Sequence, residues 1–405
     1  MKKIAFIALA SVLFSSNTFA QDISSDYLDN LNTISTSVPF LLIAPDSRAG
    51  AMGDVGAATS PDHNSIHWNA SKLAFLKENN GFSISYTPWL QDLVPEISLS
   101  YLSGFKRLNS RSTIAGSLRY FSLGEIQFTN SAGDPISKFS PNEFAFDGAY
   151  AMKLSEKFST GMTMRYIYSN LTGGINVEGG AATKPGTSFG VDLSSYYQSD
   201  EFKIEDKTAY WAAGMNISNV GNKISYTDGG EEHFLPMNGR LGASFNMELD
   251  DYNSVSFAFD VNKLLAPTPP VYAVDEDGNS LYDDNGDRVI EAGKNPNVGT
   301  LAGMFQSFND APGGMQEELN ELMFAAGMEY WYLKQFAFRG GYFHEHATKG
   351  NRKYFTIGVG LRMNVFSLDM AFLLPATQGT RSPLANTLRF TMLFDMAALY
   401  PTDKE

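Results

Sequence analysis

Histidines and carboxylates are the side chains in this sequence that could carry catalytic or metal chemistry. The five histidines are His63, His67, His233, His344 and His346. His344 and His346 flank Glu345 at the end of a predicted strand, where residues i and i+2 share a face and could hold a metal ion. The i, i+4 helical spacing of a zinc-protease site is missing. We therefore favour a solvated loop edge, with no metal ligand.

A nucleophile is equally hard to find. His63 and His67 lie in a segment rich in Ser, Asn and Asp, which leaves open a lipase-like Ser–His–Asp or Ser–His–Asn arrangement. No Gly-x-Ser-x-Gly elbow accompanies it. The chain has no cysteine, which excludes thiol nucleophiles, disulfides and Cys-ligated metals. We predict that the protein is not an enzyme, with no catalytic residue and no cofactor.

Residues 275–291 contain seven acidic residues and one basic residue, which raises the question of calcium. An EF-hand register that starts at Asp275 puts Ser280 where glycine is required, and one that starts at Asp283 puts Arg288 there. Both registers fail. The alternative is a hairpin with Asp-Gly and Asn-Gly turns flanked by short strands. We favour the hairpin, and the sequence leaves calcium binding open.

Composition favours a β-barrel that faces lipid. The chain has 405 residues and a net charge of −14, so a nucleic-acid partner, which needs a basic face, is not expected. Aromatic residues make up 13% of the chain and charged residues only 18%. This combination, with many glycines, is unusual for a soluble protein and typical of a wall in contact with outer-membrane lipid.

The first residues have the pattern of a signal peptide. Lys2 and Lys3 precede an apolar run over 4–14, and a small-residue cleavage site ends at Ala20. The alternative, a membrane anchor, is disfavoured because a spanning helix needs about 20 apolar residues. No later segment has 18 consecutive apolar residues. The remaining chain is therefore either soluble outside the inner membrane or a β-barrel.

Period-2 alternation runs through most of the chain and predicts strands. Val255, Phe257 and Phe259, for example, alternate with Ser256 and Ala258. Most of the predicted strands reach the length of about 9–11 residues that a tilted membrane strand needs. Fourteen strands are predicted, at 80–87, 95–104, 111–123, 142–153, 158–170, 186–198, 208–219, 238–249, 253–265, 320–333, 335–346, 352–364, 366–375 and 386–396.

The gaps between these strands alternate between short and long, as in bacterial outer-membrane barrels with short periplasmic turns and long outer loops. We therefore predict an all-β fold, a 14-stranded antiparallel transmembrane β-barrel with an N-terminal hatch or plug and long extracellular loops. The predicted divisions are a signal peptide at 1–20, a periplasmic or hatch segment at 21–79, a barrel at 80–396 with a long outer loop at 266–319, and a tail at 397–405.

The charged residues within the strands fall on the small, polar face. An arginine on the lipid face costs about 2–4 kcal/mol at the midplane, so this face is expected to line the lumen. Acids and bases are nearly balanced, which indicates structural ion pairs rather than a selectivity ring. The predicted lumen-lining residues are Arg119, Asp147, Arg165, Asp192, Arg240, Asp260, Glu329, Arg339, Arg362, Asp369 and Arg389.

Residues 44–76 are not strand-like, and small residues recur in them, so this segment could pack against or inside a barrel mouth. It resembles the N-terminal signature of the FadL-like outer-membrane family, although the family's Pro between Asn and Ala is missing. The resemblance implies that this segment plugs the lumen as a hatch. The matching residues are Arg48, Ala49, Met52, Gly53, Ala57, Asp62, Trp68, Asn69 and Ala70.

Within that superfamily the chain resembles the PorV (LptO) family of the type IX secretion system. The resembling stretches are 37–62, 304–314 and 329–366. The resemblance implies a non-enzymatic barrel of the bacterial outer membrane that docks or carries secreted proteins bearing a C-terminal signal domain. The partners implied are those cargo proteins, the translocon barrel SprA (Sov) and the sortase-like PorU. No substrate-binding residue can be transferred by motif.

The long loop 266–319 is the predicted partner contact, because a loop of this length with structure of its own is usually functional. An alternative function is a FadL-like channel for hydrophobic small molecules, and an inward bulge or kink of a strand near the hatch would favour it. An outer-membrane hydrolase is the third reading. The loop residues expected to contact a partner are Pro267, Pro270, Tyr272, Met304, Phe305 and Phe308.

Overall fold

A closed sheet of fourteen antiparallel strands forms the body of the protein. The computed structural model describes residues 31–90, 94, 96–129, 133–174, 182–376 and 387–396. Each strand pairs with its neighbours in the chain, and the last pairs with the first. The strands are β1 (Asn80–Pro88), β2 (Ile97–Arg107), β3 (Ser112–Leu123), β4 (Asn142–Lys153), β5 (Phe158–Asn170), β6 (Gly186–Gln198), β7 (Lys207–Gly221), β8 (Asn238–Glu248), β9 (Asn253–Leu264), β10 (Met323–Tyr332), β11 (Phe336–His344), β12 (Lys353–Arg362), β13 (Phe366–Pro375) and β14 (Leu388–Asp395).

The predicted fold class is confirmed, and each predicted strand has its counterpart in this sheet. The boundary predicted at residue 320 was wrong, because a short helix, Met315–Asn320, precedes β10. The signal peptide at 1–20 and the tail at 397–405 lie outside the described residues.

Side chains sort by face along every strand. Phe189 on the outer face of β6 is 65% exposed, whereas Asp192 on the inner face is 3% exposed. The outer face is a continuous band of aromatic and aliphatic side chains, which hydrocarbon solvates better than water does. The inner face collects the charged residues, where they contact each other and the N-terminal segment.

Short and long connections alternate around the barrel, and the side with the long ones is the outer side. The short turns use residues that stabilise tight backbone. Asp250 accepts hydrogen bonds from the backbone of Tyr252 and Asn253. Leu333 and Lys334 both have positive φ, which gives a type I′ turn whose twist matches that of the flanking strands.

The remaining elements are short and lie in the N-terminal segment and the loops. No helix in the described ranges is long and apolar enough to cross a membrane. The helices are α1 (Ser47–Gly50), α2 (Ser65–Trp68), α3 (Thr300–Gln306) and α4 (Met315–Asn320), with 3-10 turns at Pro39–Leu42, Ala70–Phe75 and Ala347–Lys349, and the extra strands are Ile126–Thr129, Pro135–Phe139, Phe202–Ile204, Val271–Tyr272 and Ile290–Ala292.

Residues 31–79, which we call the N-terminal segment, run through the lumen from the outer side to the periplasmic side. Asn32 donates its backbone N–H to Thr348 in an outer loop (3.1 Å), and Ser37 donates to Phe234 in another (3.0 Å). Leu73 packs with Phe105 near the opposite end of the barrel. Residues 32–37 of the segment therefore contact outer loops.

This path predicts that residue 35 is accessible from outside the cell. The chain has no cysteine, so Ser35→Cys introduces a single thiol at an exposed position. A membrane-impermeant maleimide added to intact cells should label Ser35→Cys. Ser110→Cys, in the exposed turn between β2 and β3, should be labelled only after lysis. Equal protection of both thiols in intact cells would contradict this path.

Candidate functional site

Arg48 is the hub that joins the N-terminal segment to the barrel wall. Its guanidinium bonds Asp62 (2.9 Å) and the Ser60 hydroxyl (2.6 Å) within the segment. It also reaches Glu329 on β10 with two hydrogen bonds, at 2.8 and 2.9 Å. Bidentate contacts between arginine and carboxylate fix orientation as well as charge. One side chain thus holds the turn over 60–62 and fastens it to the wall.

Trp68 and Asn69 organise the second half of the segment. The Trp68 indole donates to Asp46 (2.6 Å), and Asp46 also caps α1 by accepting from the Ala49 backbone (3.0 Å). The Asn69 amide donates to the Ala57 carbonyl (2.8 Å) and to the Ser195 carbonyl on β6 (2.9 Å). The two residues therefore tie α2 to α1 and to the wall.

Small residues allow the segment to lie directly on the strands. Gly53 has φ +71° and donates its N–H to the Thr356 hydroxyl (2.9 Å), and a Cβ there would stand 2.6 Å from the Tyr342 carbonyl oxygen. On the wall, a Cβ at Gly341 would lie 2.1 Å from Met52. Only glycine permits this approach of backbone to backbone.

Asp260 is the carboxylate through which β9 holds the segment. It accepts hydrogen bonds from the backbone N–H groups of Gly56 (2.7 Å) and Ala57 (3.0 Å), and it pairs with Arg240 on β8 (3.0 Å). Asp260 is fully buried. Buried charges require such partners, because desolvation without them is costly.

The other predicted lumen residues form ion pairs with the wall or the segment, with two exceptions. Arg165 bridges Asp147 (2.6 Å) and Asp192 (3.1 Å). Arg339 bridges Glu329 (2.7 Å) and Asp369 (2.6 Å), and Arg389 pairs with Asp54 (3.1 Å).

The exceptions are Arg119 and Arg362, which contact other kinds of group. Arg119 donates to the Leu41 carbonyl (2.7 Å) and to Nδ1 of His67 (2.5 Å). Arg362 is exposed and lies over the Trp331 ring, 4.6 Å from its centroid. The segment and the ion pairs of the other nine predicted residues thus fill the lumen, whereas Arg362 was wrongly predicted to be part of this lining.

A β-bulge interrupts the pairing of β6 with β7 between Ile217 and Val220. Asn219, in the bulge, has φ +61° and turns its side chain inward. Its amide donates to the Pro236 carbonyl (2.9 Å), and its amide oxygen accepts from Arg165. The bulge is therefore filled by hydrogen-bonded groups.

On the outer side, α3 and α4 turn their apolar faces to solvent. Leu301 and Phe305, one helical turn apart on α3, are 60% and 70% exposed, and Phe308, just beyond the end of α3, is 55% exposed. On α4, Met315 and Leu319 are 70% and 53% exposed. We call these five side chains the apolar platform. A soluble helix normally has the reverse arrangement.

Several charged residues are buried beneath the platform. Glu318 accepts from the backbone N–H groups of Asp310 (2.7 Å) and Ala311 (3.0 Å). Lys263 from β9 pairs with Glu318 (3.1 Å) and with Glu321. This pairing fixes α4 against the end of the barrel wall.

A second lysine joins the platform to another outer loop. Lys349 pairs with Glu321 (3.0 Å) and Glu317 (2.5 Å), and the Asn32 amide also donates to Glu317 (3.0 Å). Partial burial alone would raise the pKa of Glu317, but the hydrogen bond from Lys349 lowers it below the usual value. The platform is therefore pre-organised.

A family model for the type IX secretion system protein PorV matches residues 26–271, more than half of the chain.

The chain belongs to the PorV family.

It is accordingly an outer-membrane, non-enzymatic component of the type IX secretion system, and membership implies association with that system. No curated protein matches this PorV-family chain.

Solved structures similar to the chain include two toluene transporters and a FadL homologue. TbuX of Ralstonia pickettii shares 13% identity over 86% of this chain and 96% of its own, with a TM-score of 0.44. TodX of Pseudomonas putida shares 11% over 85% and 95%, with a TM-score of 0.44. The Pseudomonas aeruginosa FadL homologue shares 11% over 90% and 99%, with a TM-score of 0.41.

The predicted contact residues of the PorV-family loop divide by exposure. Phe305 and Phe308 belong to the platform, while Pro267 and Pro270 are buried and the Tyr272 ring lies under Arg288. Met304 packs against the cluster around Phe234 and Leu265. The buried residues of this set pack within the loop, and Phe305 and Phe308 are the exposed ones.

Sequence reasoning missed Leu301, Met315 and Leu319. The helical spacing of Leu301 and Phe305 is a signal that could have found one of them. It also missed the ion pairs below the platform. They join residues from three separate parts of the chain, so local sequence carries no signal for them.

The histidines and the acidic loop contribute no metal cluster within the described ranges. The His346 ring accepts from the Thr348 backbone N–H (3.3 Å), and Glu345 pairs with Arg352 (2.8 Å). In the acidic loop, Asp275 and Asp283 each accept backbone N–H groups in a tight turn, and Val274 and Ser280 form a bridge. The loop has the hairpin character that the sequence predicted.

We expect Asp260→Ala to loosen the N-terminal segment inside this PorV-family barrel. The change leaves Arg240 and two buried N–H groups without their shared acceptor, a loss of about 3–5 kcal/mol. Hydrogen exchange of the amides over 50–58 in detergent should accelerate strongly. Asp284→Ala, an exposed carboxylate, is the control and should leave exchange unchanged. Slow exchange in both variants would contradict the role of Asp260.

Lys349→Met should weaken the attachment of α4 to the neighbouring outer loop. Removing one partner of a buried ion pair costs about 3–5 kcal/mol, because the carboxylates of Glu317 and Glu321 stay behind. Chymotrypsin added to intact cells should cut the 265–322 loop at least about tenfold faster in this variant. Lys184→Met breaks an exposed pair with Asp228 and should change nothing. Identical cleavage rates would show that Lys349 does not hold the loop.

Proposed function

We propose that this chain is the outer-membrane subunit that binds and shuttles secreted cargo proteins through their C-terminal signal domains. In this proposal it takes cargo from the translocon barrel SprA and passes it to the cell-surface attachment machinery that includes PorU. The apolar platform is the contact surface. Membership of the PorV family supports the secretion role, and the platform supports the contact.

The observation that carries the proposal is the outward apolar face of two helices on a rigid base. Large apolar side chains exposed together mark protein–protein contact sites, and rigid anchors contribute most to binding energy. The buried pairs of Lys263 and Lys349 keep α4 in place before a partner arrives. Pre-organisation lowers the entropy cost of binding.

The alternative is a channel for hydrophobic small molecules. The bulge at Asn219 is the feature that would favour it. Three observations oppose it: the bulge is filled by hydrogen bonds, the hatch fills the lumen, and buried ion pairs line the wall. An apolar substrate gains little from such a lining. We therefore prefer the protein-binding role.

The proposal predicts that the platform is needed for capture of partners. Changing Leu301, Phe305, Phe308 and Met315 together to Ser should reduce co-purification of SprA and of cargo with the barrel at least about tenfold, because the apolar anchors are lost. Measurement is by affinity purification from detergent-solubilised membranes and quantitative mass spectrometry.

The matched control changes exposed apolar side chains in another outer hairpin, Ile126→Ser and Ile136→Ser. It should leave co-purification intact. Heat-modifiable migration on gels verifies that the barrel of each variant is folded. Full recovery of SprA and cargo with the folded platform variant would refute the proposed contact.

A further inference from the structure

An acidic hairpin stands beside the apolar platform. Val271–Tyr272 pairs with Ile290–Ala292 at its base, and the acidic stretch 275–291 forms its outer part. All seven of its carboxylate residues are exposed. The hairpin and the platform belong to the same outer loop. A partner bound to the platform therefore lies in the electrostatic field of the hairpin carboxylates.

Direct contacts hold the hairpin's base against α3. Lys294 donates to the Asn309 side chain (2.6 Å), just beyond Phe308, and Gln306 donates to the Asn295 carbonyl (2.9 Å). These bonds join the chain leaving the hairpin to the C-terminal end of α3 and to the residue that follows Phe308. The acidic and apolar parts therefore form one composite surface.

Among the residues that the structure describes, none forms a salt bridge with the seven carboxylates of the hairpin. Its single basic residue, Arg288, lies over the Tyr272 ring at 3.7 Å from the centroid. The backbone N–H of Asn279 lowers the pKa of Asp275, and that of Asp287 lowers the pKa of Asp283. Both groups stay ionised in mildly acidic surroundings.

We propose that the platform takes a polypeptide segment whose apolar side chains are flanked by lysine or arginine. The apolar residues would cover Phe305 and its neighbours while the basic residues face the hairpin. This inference rests on the proposed function and names the chemistry of its partner. Charge complementarity of this kind raises association rates and excludes partners of the wrong sign.

The same charges argue against a lipid surface as the occupant. Amphipathic elements that bind anionic lipid carry basic residues beside their apolar face. Here the seven exposed carboxylates of the hairpin outnumber the two exposed basic residues near them, Arg288 and Lys294, so an anionic headgroup would be repelled. A basic polypeptide satisfies both halves of the surface at once.

The test uses the full-length barrel in detergent and two synthetic amphipathic peptides of equal length. Both carry the same Leu and Phe face, and one has lysines beside that face while the other has glutamates. Surface plasmon resonance at low salt should show at least about tenfold tighter binding of the lysine peptide, and the difference should shrink as salt screens it.

Neutralising the hairpin should abolish the preference and leave apolar binding. The variant keeps Asp275 and Asp283, which hold the turns. It carries Glu276→Gln, Asp277→Asn, Asp284→Asn, Asp287→Asn and Glu291→Gln. The matched control makes the same change in net charge in the periplasmic turns and at the adjoining end of β8, and it should keep the preference. It carries Glu201→Gln, Glu205→Gln, Asp206→Asn, Glu248→Gln and Asp251→Asn.

Equal affinity of the unaltered barrel for both peptides would overturn the inference. So would binding to phosphatidylglycerol vesicles that the platform variant loses. The two proposals fail separately. If the platform variant still captures SprA and cargo while the lysine peptide keeps its advantage, the proposed function falls and the partner chemistry stands. If the platform variant loses capture but the two peptides bind equally, the proposed function stands and the partner chemistry fails.

Discussion

Hydrocarbon offers no hydrogen bonds, so every backbone N–H and C=O at membrane depth must find its partner within the protein. The closing pair of β1 and β14 meets this demand, because it leaves no free edge in the wall. Closure then creates a second demand. The inward face of the sheet encloses a lumen, and polar groups placed there must be solvated, neutralised or covered.

This protein meets the second demand with charges from both sides. Asp260 and Glu329 on the wall accept from the N-terminal segment, and Arg48 and Asp54 of the segment reach out to the wall. Some buried charges of the wall pair with each other, but Arg389 pairs with Asp54 of the segment, and Arg48 of the segment pairs with Glu329. The N-terminal segment and the barrel are therefore joined by several buried polar contacts, and opening the lumen would require these contacts to break together.

Much of this architecture could be predicted from the sequence, because one period explains it. Alternation with period 2 located the strands and also assigned Asp147 and Arg165 to the inner face. The hydrogen-bond partners of the inward-facing charges could not be predicted from the sequence. Arg119, for example, bonds His67 and the Leu41 carbonyl, and these contacts depend on how the N-terminal segment lies in the lumen. Only part of the platform was predicted. Phe305 was expected to contact a partner, whereas the exposed apolar face of α4 was not expected.

The path of the N-terminal segment has a consequence for how the protein is assembled in the membrane. Residues 32–37 touch outer loops, while the chain re-enters the wall at Asn80 on the opposite side. A ring of strands that had already closed would have to admit residues 32–37 through its lumen. Pairing of β14 with β1 after that segment is in place avoids this step.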